Sequence, residues 1–311
     1  MNKKITGLML ALTLIVPTTA HAANLSNKTV GTPVIAILDT ALDNSLPIFK
    51  DRILYEACVT QWSSCPNGLN EMEGPNSSVL KPEWISKNGF NHGTEMASLA
   101  VATNPNIKIV FIRIIGANSK GFRQATGEAT VYNALDWVIR NKDKLNIQAV
   151  SMSQSQSNTS AATSDYCNKT PITETKIKVL ADAGIPVFFP TGNSRNYSKI
   201  DWPACIPQAI SVGATMPTKT IAIYGNYDPR LTDFFALGST RATTVGGKEI
   251  NVAGTSASTV IAATSWATIK AAKPNLTYNQ IYELISRTSE PTSNSTIKGG
   301  KLINLSGALN G

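Results

Sequence analysis

Histidine is almost missing from this chain. Of 311 residues only His21 and His92 carry an imidazole, and His21 falls inside an N-terminal segment that reads as a removable leader. Imidazole is the side chain whose ordinary pKa suits proton transfer near neutrality, so any such step has one candidate, His92. Cysteine is scarce too: Cys58, Cys65, Cys167 and Cys205 are the four, and no two have Cys-x-x-Cys spacing. With one histidine available, that argues against a metal centre. Beyond the leader no apolar run approaches the roughly 20 residues that span a bilayer, so no membrane anchor is expected. The formal net charge is +8, but the basic residues are spread along the chain, which argues against nucleic acid as a partner. No repeat, low-complexity block or linker divides the sequence.

What is present begins with Lys3 and Lys4, an apolar stretch from Ile5 to Val16, and Thr18-Thr19-Ala20-His21-Ala22. A basic start, an apolar middle and an Ala-x-Ala ending predict a secretory signal peptide over 1–22, cut after Ala22. The mature chain, 23–311, is then exported, extracellular or periplasmic, and long enough for one large domain. An even cysteine count in an exported chain predicts two disulfides. Three pairings exist; Cys58–Cys65 and Cys167–Cys205 are preferred because each closes a loop between neighbouring predicted elements.

Short apolar runs bounded by Gly, Pro, Asn or Ser predict buried strands at Val34–Leu38, Lys108–Ile115, Gln148–Met152, Pro186–Phe189 and Ala209–Val212. Helices are predicted between and after them, at His92–Thr103, Ala129–Arg140, Thr173–Ala183 and Ala257–Ala272. Strands apolar on both faces that alternate with helices imply an α/β fold, a mostly parallel sheet covered on both sides.

Four residues stand where such a fold collects chemistry, at the carboxyl ends of strands and the starts of helices. Asp39 ends the apolar run Val34-Ile35-Ala36-Ile37-Leu38, where it can orient an imidazole. His92 opens a helix through Gly93 and Thr94. Asn193 follows Pro190-Thr191-Gly192 after a strand, and its side-chain N–H can face an oxyanion. Ser256 lies in Gly254-Thr255-Ser256-Ala257-Ser258, a small-residue helix start whose N–H groups favour developing negative charge. This is not the Gly-x-Ser-x-Gly elbow of α/β-hydrolases, since Ser258 takes the last position. Each residue by itself is equally readable as a turn, a cap or a core side chain.

Taken together, Ile37-Leu38-Asp39-Thr40, His92-Gly93-Thr94, Gly192-Asn193 and Gly254-Thr255-Ser256-Ala257-Ser258, in that order, closely resemble the subtilisin-like (subtilase) serine proteases. Ser151-Met152-Ser153 is similar to the family's substrate-binding strand, and Ala209-Ile210-Ser211-Val212-Gly213-Ala214 to the strand after its oxyanion asparagine. The resemblance covers nearly all of 23–311 and implies a three-layer subtilisin-like fold and a secreted serine endopeptidase. It implies Ser256 as nucleophile, His92 as general base, Asp39 as its orienting carboxylate and Asn193 in the oxyanion hole. Ser151, Ser153, Gln154 and Ser155 are then the substrate-binding segment. Protein or peptide substrates, a monomer and no cofactor for the chemistry are implied; structural calcium is left open. The same site could serve an inactive peptide-binding module or a peptide ligase or cyclase. Four departures are visible: Ala41 stands after Asp39-Thr40 where glycine or a small polar residue is usual, Val260 replaces the usual proline of the serine motif, Gln154-Ser155-Gln156 replaces Leu-Gly-Gly, and the interval from Ala22 to Val34 is expected to leave no room for an inhibitory prodomain.

Overall fold

Why the segment Val34–Asp39 becomes a strand is visible in where its side chains go. Ile35 and Ile37 enter one apolar core and Val34, Ala36 and Leu38 enter another, all essentially unexposed. A strand with apolar residues at every position can only sit inside a sheet covered on both faces. The computed structural model describes residues 31–87, 89–124, 127–157, 167 and 170–311. The leader expected over 1–22 lies outside the described residues.

The strands are β1 (Val34–Asp39), β2 (Ile53–Val59), β3 (Glu71–Glu73), β4 (Lys108–Arg113), β5 (Ala149–Met152), β6 (Val187–Pro190), β7 (Ile210–Thr215), β8 (Phe234–Leu237), β9 (Ser239–Thr243), β10 (Glu249–Ala253), β11 (Glu290–Thr292) and β12 (Gly300–Leu302). Ten of them form one sheet in the order β11-β12-β8-β7-β6-β5-β1-β4-β2-β3, while β9 and β10 make a separate antiparallel hairpin. Only the edge pairs β2–β3 and β11–β12 of the large sheet are antiparallel. The helices are α1 (Pro82–Lys87), α2 (His92–Thr103), α3 (Glu128–Asn141), α4 (Pro171–Asp182), α5 (Thr255–Ala272), α6 (Tyr278–Thr288) and α7 (Leu305–Asn310).

Helices α3 and α4 cover one face, with Val131, Leu135, Trp137, Ile177 and Leu180 packed on Val110, Val150 and Phe189. Helices α2, α5, α6 and α7 cover the other, with Leu99, Val260, Trp266 and Ile281 on Ile37, Phe111 and Phe188. The three layers match the expected subtilisin-like α/β architecture. Each predicted strand and helix is present, with ends displaced by up to three residues. The largest shift is at the end of β7, which runs on to Thr215.

Val260, standing where a proline was expected, is fully buried in the first turns of α5. Its β-branched side chain packs the sheet from a helix that needs no proline to start. Disulfides join Cys58 to Cys65 and Cys167 to Cys205, with Cα separations of 5.8 and 5.7 Å, within the normal reach of a cystine bridge. Among the described residues no helix is long and apolar enough to cross a membrane.

Strand β1 pairs with β4 on one side and β5 on the other. Chain order reverses there, so the connections leaving the carboxyl ends of these strands diverge and open a crevice. Asp39 is the last residue of β1.

Candidate active site

Asp39 enters that crevice fully buried, and its Oδ1 collects the hydrogen bonds. It accepts from its neighbour's backbone, Thr40 N, at 2.7 Å, and from Gln154 Nε2 at 3.2 Å. The third bond joins His92 Nδ1 at 2.7 Å. An aspartate anion is acceptor-only, so the proton of that pair sits on Nδ1 and leaves Nε2 with its lone pair free. The imidazole keeps 27% of its side chain exposed while Asp39 keeps none.

The two meet because α2 starts hard against the end of β1. Gly93 N donates to Thr40 Oγ1 at 2.7 Å, and Thr40 Oγ1 donates to the Phe90 carbonyl at 2.8 Å. A Cβ on Gly93 would stand 2.7 Å from both the Ala41 carbonyl and the Phe111 ring. Only glycine lets the helix approach closely enough for its first residue, His92, to reach Asp39.

Burial works to lower the pKa of His92, but the Asp39 charge and hydrogen bond, helped by Glu95, outweigh it, with Arg123 opposing; the net shift is upward. Glu95 is itself buried one turn along α2, where it accepts from Asn91 Nδ2 and, at 2.7 Å, from Thr244 Oγ1. The second contact fixes the β9–β10 turn onto the histidine helix, as does the bond from Thr243 N to Ser98 Oγ at 2.9 Å. That hairpin leads directly into Ser256.

Ser256 is half-buried in the first turn of α5. Its Oγ donates to the Ser153 carbonyl at 3.3 Å, and Ser153 Oγ donates back to the Ser256 carbonyl at 3.0 Å. Among the described residues no hydrogen bond joins Ser256 to His92. Asn193 is exposed beside it. Its Oδ1 accepts from Thr255 N at 3.0 Å and Thr255 Oγ1 at 3.1 Å, which leaves Nδ2 as the end facing outward. A Cβ built on Gly254 would lie 3.6 Å from Asn193 Nδ2 and 3.8 Å from Ser256 N. Glycine leaves that point free of a side chain, between the first turn of α5 and Asn193, whose Oδ1 lies 3.9 Å from it. Gly192, with φ of 102°, turns the chain into Asn193.

The substrate-segment residues divide. Ser153 touches Ser256 as described, and exposed Ser155 donates to Asp201 Oδ2 at 3.2 Å. Gln154 turns toward Asp39. Ser151 is withdrawn from the crevice: it is fully buried in β5 between β1 and β6, because the period of two along a strand that is covered on both faces sends its side chain into the core. Sequence reasoning missed Glu95, Arg123 and the hairpin contacts; no local pattern marks them.

A family model described as the subtilase family matches residues 31–305. Subtilisin amylosacchariticus of Bacillus subtilis subsp. amylosacchariticus is 26% identical over 284 residues, covering 88% of this chain and 65% of that protein. The chain thus spans just under two thirds of that relative's length. Among solved structures, a lanthipeptide protease superposes with a TM-score of 0.69 at 15% identity, covering 90% of this chain and 87% of the other. A cold-adapted subtilisin-like serine proteinase gives 0.63 at 20% identity, with 88% and 89% covered. Those likenesses speak for the fold, and the family match, which runs through Asp39, His92, Asn193 and Ser256, speaks for descent. The chain belongs to the subtilase family.

Proposed function

We propose that the protein is an exported serine endopeptidase that cleaves peptide bonds in proteins or peptides through an acyl-enzyme. Ser256 Oγ attacks the scissile carbonyl carbon while His92 Nε2 takes the hydroxyl proton. Asp39 holds the ring through Nδ1 and stabilises the imidazolium. The carbonyl oxygen, now an anion, accepts from Asn193 Nδ2 and Ser256 N. Collapse of this intermediate expels the amine, which takes the proton from His92. A water molecule, deprotonated by the same nitrogen, then attacks the acyl carbon, and collapse of this second intermediate breaks the bond to Ser256 Oγ, which takes that proton back from His92 as the acid product leaves. No step draws on a cofactor.

The observation that carries the reading is the Asp39–His92 hydrogen bond, which leaves Nε2 basic, in a crevice that also holds a serine at a helix start with the Asn193 amide beside it. The mechanism requires the Ser256 hydroxyl to turn from the Ser153 carbonyl toward Nε2 when substrate enters; such bonds commonly tighten only in the complex. Two disulfides suit an oxidising compartment, and we take the active form to be a monomer.

Incubation of the purified exported protein with casein tests the reading. Cleavage that disappears in Ser256→Ala supports it. Absence of cleavage by a folded protein would leave a peptide-binding module, and ligated or cyclised products would point to a transferase instead.

A further inference from the structure

We propose that Gln154 is a positioning residue of the triad: its side-chain amide joins exposed Arg123 to buried Asp39 and holds the carboxylate that orients His92. The inference rests on the roles proposed above for Asp39 and His92. Gln154 follows β5 on the segment read from sequence as substrate-binding, where an extended chain could offer its side chain to a peptide. It does not do so here. Nε2 donates to Asp39 Oδ1 at 3.2 Å, while Oε1 accepts from Arg123 Nη2 at 3.0 Å.

A primary amide suits that place because it is donor and acceptor at once: one end meets an anion, the other a cation. Apart from His92, Gln154 is the one side chain bonded to Asp39 among the described residues, and Asp39 Oδ2, buried, has no partner. The orientation of the carboxylate thus depends on what is attached to Oδ1. Arg123 is in turn fixed by a short hairpin, with Asn118 N bonded to the Phe122 carbonyl at 2.9 Å and Gln124 N to the Gly116 carbonyl at 2.8 Å. Three charged groups face the imidazole: Asp39 from β1, Glu95 from α2 and Arg123 from this hairpin. The first two favour the imidazolium and the third opposes it. Loss of the Gln154 donor leaves Asp39 a stronger base toward the imidazolium, and loss of Arg123 removes the opposing charge. Both changes therefore have the same sign at His92, although neither residue touches it through a hydrogen bond.

His92 is the only histidine after the leader, so its titration can be followed by NMR of histidine-labelled exported protein, with Ser256→Ala as the parent to prevent self-digestion. Gln154→Leu and Arg123→Gln should each raise the pKa of His92. Arg123→Lys, which keeps the charge, should restore most of the parent value, and the double variant should move further than either single change, because Arg123 also opposes the imidazolium through space. In the Ser256 enzyme, Gln154→Leu should lower kcat by about tenfold with little change in KM, as expected for one lost hydrogen bond to a charged group. The control is Asp39→Asn, which should lower the His92 pKa. If Asp39→Asn acts and Gln154→Leu leaves His92 unmoved, the positioning role is overturned while the triad stands, whatever Arg123→Gln does through its charge. A change confined to KM would likewise overturn it, making Gln154 a substrate contact. If Asp39→Asn has no effect, the triad reading falls and this inference with it. Should Gln154→Leu fail to fold, Gln154→Met, which keeps the length and removes both polar ends of the amide, takes its place with the same outcomes.

Discussion

Asp39 and Ser256 sit about as differently as two residues of one site can. Asp39 ends a strand in the middle of a ten-stranded sheet, is fully buried and receives three donors on one oxygen. Ser256 opens a helix, is half-buried and holds one 3.3 Å hydrogen bond through its hydroxyl. The glycines beside each half repeat the contrast. At Gly93 a methyl group would collide with the Ala41 carbonyl and the Phe111 ring, whereas at Gly254 it would meet nothing closer than 3.6 Å. The group proposed to orient the imidazole is locked by packing, and the group proposed as nucleophile is half-buried beside a glycine with room for a methyl group. In the proposed reaction, rigidity in the orienting pair would fix the proton acceptor, and freedom at Ser256 would let it reach substrate.

The sharpest way to break this comparison is Ser256→Ala. It should leave the thermal unfolding midpoint near that of the parent and reduce kcat on casein-derived peptides on the order of 10⁶-fold, the loss seen in subtilisin itself when its serine is removed. A protein that unfolds earlier and still turns over would place the nucleophile elsewhere. Next in size is the proposed oxyanion hole. Asn193→Ala should lower kcat by about 10²–10³, the figure measured for the equivalent asparagine of subtilisin. Gly254→Ala, whose extended backbone admits alanine, should do at least as much with little effect on stability, because its methyl would stand against both proposed donors.

Gly93→Ala should invert that pattern. Overpacking at the β1–α2 contact is expected to cost about 1–3 kcal/mol of stability, as for other added methyl groups in tight cores, readable as a lower denaturant midpoint. Stability equal to the parent would mean that the locked half is not locked. The smallest effect belongs to pH. His92 must be neutral to accept the Ser256 proton, and its pKa is raised, so kcat/KM should fall as pH drops through a midpoint above the ordinary imidazole value of about 6.5. Glu95 contributes to that rise, so Glu95→Gln should move the acid limb to lower pH; movement in the other direction would contradict the electrostatics of the site.

The locked half was also the more legible one. The run Val34–Leu38 announces a doubly covered strand, and Asp39 at its end follows from the carboxyl-end rule. The start of α2 at His92 was placed to the residue. Seven strands (β2, β3 and β8 to β12) and three helices (α1, α6 and α7) escaped, and two of these elements carry local signals. Helix α6 carries a capping box, Thr277 with Gln280, behind the proline that ends the preceding apolar stretch, and β2 is rich in β residues but interrupted by Glu56. That glutamate is buried because Asn44, Asn76 and Ser78 all donate to it, partners that no local window contains.

The sequence by itself determined the α/β alternation and the family, and it singled out four candidate site residues, because strand and helix periods, turn chemistry and short motifs are local properties of the chain. Tertiary structure alone decided where the side chains of the substrate segment go. Ser151 is sealed in the sheet, Ser153 pairs with Ser256, and Gln154 reaches Asp39 across 115 residues of sequence. It also decided that Glu95 and Arg123 act on the His92 imidazole with opposite signs of charge. Those contacts depend on how the sheet orders β1, β4 and β5 and on how closely α2 approaches it, and such distances exist only after the loops between them have closed.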